Sequence, residues 1–141
     1  MRVFIANFKW IMLICGLLTC TMLLGLFSPA SSLQSNFGEA LVTGPENLVV
    51  RGWSALIGLM GIMLIYGAFK PAVRNYSLII AGINKIIFIG LILIFGRQYM
   101  EFGLGTAIVA DTIMILLFAV YLFFSGDTNN KKAFNIIWKK Q

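Results

Sequence analysis

Histidine is absent from this 141-residue chain, cysteine occurs twice, and only five side chains are acidic. Each scarcity removes a class of chemistry. Without an imidazole there is no His-ligated haem, no common zinc site and no triad with a histidine base. Cys15 and Cys20 lie five apart on one apolar stretch. That spacing puts them on different helix faces, too distant to bridge, so they read as packing residues. No Cys-x-x-Cys occurs, which argues against a four-helix membrane thiol oxidase. Arg2 to Phe27 holds no acidic residue, whereas small multidrug exporters need one in their first helix. The glycines of Gly103-Leu104-Gly105 lack the lysine and serine of a phosphate-binding loop. No metal site and no catalytic motif emerge.

Apolar residues are what the chain has in excess. Hydrophobic side chains make up 60% and charged ones 11%, more apolar surface than a soluble domain of this length can bury. Lipid must cover the remainder. Four stretches are long enough to span: Trp10 to Phe27, Trp53 to Phe69 with Leu48 to Val50 as its outward extension, Ser77 to Gly96, and Gly103 to Phe124. The expected fold is therefore all-α, a four-transmembrane antiparallel helix bundle with helices near 10–27, 48–69, 77–96 and 103–124. Arg2 and Lys9 followed by an apolar run and Ser28-Pro29-Ala30 imitate a signal peptide. The run exceeds the roughly 7 to 15 residues of a signal core, so it reads as a span.

Charge placement orients the bundle. Arg2, Lys9, Lys70, Arg74, Lys131, Lys132, Lys139 and Lys140 fall on the side holding both termini, and Arg51 and Arg97 fall opposite. Both termini should thus be cytoplasmic, in a bacterial inner membrane on this reading. Glu39, Glu46 and Glu101 occupy the outer connections, and no basic face with interleaved aromatics exists, so no nucleic-acid partner is expected. The outer loop 28–47 carries Leu33, Phe37 and Leu41 at steps of four, one apolar face for a short interfacial helix that either closes the bundle or covers a site. The inner connection Lys70 to Tyr76 is tight, with Pro71 expected to stop the second helix. Residues 127–141, after the polar break Ser125-Gly126-Asp127, form a basic amphipathic tail with Phe134, Ile137 and Trp138, suited to an anionic lipid surface.

Two charges lie where a bilayer tolerates few: Lys85 within the third span and Asp111 within the fourth. A charge at mid-depth costs about 2.5 to 3.5 kcal/mol on insertion scales, so both should face protein or a cavity. Small-residue stripes give the same direction: Arg51, Ser54, Gly58, Gly61, Ile65 and Ala68 on helix two, and Gly103, Ala107, Ala110, Asp111 and Met114 on helix four. Ala81, Asn84, Lys85 and Phe88 share the matching face of helix three. Counted inward from opposite edges, each charge is about 12 Å deep, which predicts a Lys85 to Asp111 ion pair with a further hydrogen bond from Asn84 or Thr112. The alternative partners of Asp111 are Arg51 and Arg97, with Lys85 then snorkelling inward.

Such a pair either fixes helix register or works. A working pair can relay protons in coupled transport, or hold a lipid headgroup or quinone carbonyl through Lys85, Asn84 and Asp111, with Tyr66 or Phe88 on the apolar part. Tyr66 is otherwise an interface anchor. The small stripes also suit a homo-oligomer or a membrane-protein partner.

Four short spans with both ends inside, a long first outer loop, Val50-Arg51-Gly52-Trp53 opening helix two, and a tight Pro71-Ala72-Val73-Arg74 turn resemble the DoxX-like small membrane proteins. The resemblance is one of layout across most of the chain. It implies a membrane subunit of a quinone-linked oxidoreductase, with quinone as the cofactor, or an assembly factor for a membrane partner.

Overall fold

A computed structural model describes the backbone of residues 2–138 and the side chains of residue 4 and residues 7–125. The described residues are helical and contain no strand. The first span is built from α1 (Arg2–Cys20), a 3-10 turn (Thr21–Leu23) and α2 (Leu24–Phe27). Then come α3 (Pro29–Phe37), α4 (Gly44–Phe69), α5 (Pro71–Phe95), a 3-10 turn (Arg97–Tyr99) and α6 (Gly103–Trp138). Four stretches, Asn7–Phe27, Gly44–Phe69, Pro71–Phe95 and Gly103–Ser125, are long and apolar enough to cross a membrane. Only 22–28% of the most apolar part of each is buried within the chain, so their outward faces need an apolar surrounding.

Several boundaries differ from the sequence reading, each for a local reason. The second span begins at Gly44 and not near 48, because Thr43 and Glu46 form a capping box. The Glu46 backbone N–H donates to Thr43 Oγ1 at 3.4 Å, and Glu46 Oε2 accepts from the Val42 and Thr43 backbone N–H groups at 2.9 and 3.1 Å. The third span begins at Pro71, six residues before Ser77. Proline ends α4 as expected, yet it sits in the first turn of α5, where its missing N–H has no intrahelical partner to lose. Lys70 alone connects the two helices, held extended at φ −114° and ψ 92° by the proline that follows. Arg74 then donates from Nε to Gly67 O at 3.2 Å and from Nη2 to Ala68 O at 2.8 Å, satisfying carbonyls that the end of α4 leaves open. Its Nη1 reaches Tyr121 of α6 at 3.5 Å.

Within loop 28–47, Pro29 opens α3 and Gly38 closes it in the left-handed region at φ 70°. Leu41 therefore lies beyond the helix and does not extend the Leu33 and Phe37 face. At the other end of the chain, α6 runs through the expected break at Ser125-Gly126-Asp127 to Trp138. The lipid contacts expected of the basic tail concern side chains outside the described residues.

The bundle has two unlike halves. At the end holding both termini the helices meet in a filled core: Phe8, Met12 and Cys15 of α1, Leu64 and Ala68 of α4, Leu78 and Ala81 of α5, and Met114, Phe118 and Tyr121 of α6. Phe8 stacks on Tyr121 with ring centroids 3.9 Å apart. α1 and α4 pack extensively along each other, with Gly16 and Gly61 bringing the backbones together. A Cβ on Gly61 would lie 2.7 Å from Cys20 N and 2.8 Å from Gly16 O. Cys15 is buried in the core, Cys20 is half-buried with its thiol 3.7 Å from Gly58 O, and both are free.

Candidate functional site

In the other half the helices part around a cavity of about 230 Å³, bounded by all four spans and by α3. Lys85 and Asp111 lie on its wall and form the ion pair expected from their depths. Asp111 stands about 12 Å along α6 from Gly103, and Lys85 about 15 Å along α5 from Phe95, at roughly 1.5 Å per residue. Their heights differ by about 3 Å, which the lysine side chain spans, and the side chains are 7% and 15% exposed. Ala107, Ala110 and Met114 continue the α6 side of the wall. The stripe of small residues on α6 thus creates space, whereas the one on α4 creates contact: Ser54, Gly58, Gly61 and Ala68 are buried, with Gly58 and Gly61 against the first span.

The remaining expected site residues divide. Asn84 and Phe88 line the cavity. Thr112 does not: it is exposed and donates to its own helix at Ile108 O, 2.7 Å away, because one residue beyond Asp111 the helix face has turned by about 100°. Neither Asn84 nor Thr112 adds a hydrogen bond to the pair, whose contact is Lys85 Nζ to Asp111 Oδ1. Arg51 is a structural cation here. Its Nε donates to Asn47 Oδ1 at 2.7 Å and its Nη1 to Leu26 O, tying α4 to the end of α2. Arg97 donates to Leu93 O at 2.7 Å and stays exposed. Asp111 therefore turns to neither arginine, and Lys85 does not snorkel. Tyr66 is 54% exposed on the outer face of α4, outside the cavity.

Sequence reasoning missed the roof. Phe37 of α3 packs edge-on against Tyr99 at 5.3 Å and Trp53 at 5.6 Å, and Trp53 stacks on Phe88 at 6.5 Å. This chain of rings leads from the loop end into the cavity. Asn36, next to Phe37, lines it while donating to Ser32 O at 2.8 Å, so α3 borders the cavity. Only the Leu33 and Phe37 spacing signalled this, since contacts among residues 37, 53, 88 and 99 exist only after folding. Beside the roof, Ser54 is fully buried and its hydroxyl has no hydrogen-bond partner among the described residues.

No protein-family model, curated protein or solved structure matches this chain. The site must therefore be judged on its own geometry. Among the described residues no group of three or more His, Cys, Asp or Glu side chains is arranged to hold a metal ion. What the arrangement offers is an apolar chamber at mid-depth with one charge pair and a few amides and hydroxyls on its wall.

Proposed function

We propose that this protein is a non-enzymatic membrane protein that binds the polar end of a hydrophobic or amphipathic molecule between its spans. The observation that carries this reading is the cavity itself, with Lys85 and Asp111 on its wall. A charge pair kept only for helix register would need no chamber beside it, and well-packed spans would leave none. Ligand pockets for whole drug-sized molecules run to about 300–1,000 Å³, so a chamber of about 230 Å³ suits one end of a ligand, the rest lying in lipid.

Coupled transport through Asp111 and Lys85 is the second reading, and the packing argues against it. Carriage to the other side would require Phe8, Phe118 and Tyr121 to separate, and these form the filled half of the bundle. A quinone carried by a subunit of an oxidoreductase, or a role in assembling a membrane partner or homo-oligomer, follows from the DoxX-like layout and is compatible with the same chamber. Lys9, Lys70 and Arg74 at the end holding the termini support a cytoplasmic location for that end, in a bacterial inner membrane.

Native mass spectrometry of the full chain from mild detergent tests the reading. One retained amphipathic molecule per chain is expected, and its loss in Ala107→Phe, which fills the chamber. Bare chain, or retention unchanged in Ala107→Phe, would overturn it.

A further inference from the structure

The charge pair restricts the head of the ligand, an inference that rests on the binding reading above. An ammonium carries three N–H donors and a carboxylate two acceptor oxygens. Among the described residues, Lys85 Nζ meets only Asp111 Oδ1, which leaves two ammonium donors and Oδ2 without a protein partner on the wall of the chamber. Donor and acceptor capacity thus lie side by side. Their charges cancel: an anionic head drawn to Lys85 is repelled by Asp111, a cationic head meets the reverse, and the apolar lining supplies no third charge. We propose that the chamber selects a neutral amphipath whose head presents a hydrogen-bond acceptor beside a donor, as a glycerol hydroxyl or a primary amide does. Leu18 and Thr21 on the first span and Thr106 on α6 line the chamber yet remain exposed, which opens it sideways and lets an acyl chain pass into lipid.

Four probes with the same 18-carbon chain separate the possibilities: monooleoylglycerol, oleamide, oleyl sulfate and oleyltrimethylammonium. They compete for the full chain in maltoside micelles, with retention read by native mass spectrometry. At least tenfold preference for the neutral probes is expected, and whichever neutral probe dominates identifies the source as a glycerol-headed lipid or an amide. The preference should disappear in the double variant Lys85→Met, Asp111→Leu. Ala110→Leu, which narrows the chamber and keeps both charges, should lower retention of both neutral probes. Equal or stronger retention of a charged probe, still lost in Ala110→Leu, would overturn neutral-head selection and leave binding intact. Failure to retain any probe would overturn both.

Discussion

Removing one member of the Lys85 and Asp111 pair should harm the fold more than removing both. Lys85→Met leaves a carboxylate at mid-depth whose side chain is only 15% exposed, and Asp111→Leu leaves an ammonium 7% exposed. An uncompensated charge at that depth costs about 2.5 to 3.5 kcal/mol on insertion scales, and breaking a buried pair costs about 3 to 5 kcal/mol. Each single variant should therefore lose about 3 kcal/mol, reduced where the freed group draws water into the chamber. The double variant replaces the pair by apolar groups of similar volume and should fall within about 1 kcal/mol of the parent. The cycle then gives a coupling of several kcal/mol, against the roughly 0.3–0.5 kcal/mol within which independent sites add. Reversible unfolding in mixed micelles with increasing sodium dodecyl sulfate, followed by tryptophan fluorescence, measures all four proteins. Losses that simply add, with the double variant the least stable, would show that the two charges do not act as a pair.

Four further outcomes follow from local packing and capping. Gly61→Ala places a methyl group against the Cys20 and Gly16 backbones, which cannot rotate away, and should cost about 1–3 kcal/mol. Gly90→Ala meets nothing within 4 Å and should gain about 0.5–1 kcal/mol from the helix preference of alanine; the same micelle titration ranks the two. Ser54→Ala removes a buried hydroxyl that has no partner among the described residues and should be neutral or stabilising by up to about 1 kcal/mol, so a loss above that size would reveal a bond the structure does not contain. Thr43→Ala breaks the capping box and should cost about 0.5–1 kcal/mol, with faster amide exchange confined to the first turn of α4 as the local signature.

The four spans were legible in the sequence because hydrocarbon imposes a length and forbids unpaired backbone groups, so apolar runs of about 20 residues admit few readings. The Lys85 and Asp111 pair was legible for the same reason: two scarce charges on adjacent spans, roughly 6 Å apart in height and within a lysine side chain's reach, have few ways to avoid lipid. Helix ends were read less well. Pro71 marks both the end of one helix and the start of the next, and periodicity does not reveal that a single residue suffices between them. Tyr66 and Thr112 lie outside the cavity because a helix turns about 100° per residue: Thr112 is one position past Asp111 and Tyr66 two past Leu64, both of which line it.

What the amino-acid order determined alone is the number of spans, their approximate limits, the small-residue faces, and the need for an acid and an amine to find each other. Only tertiary structure decided that one small stripe brings two backbones into contact while the other encloses a chamber, and that Phe37, Trp53, Phe88 and Tyr99 roof it. Depth and facing are properties of one helix in one solvent. Whether two faces meet or stand apart depends on how the bulky residues at the other end, Phe8, Phe118 and Tyr121 among them, fill the space between helices.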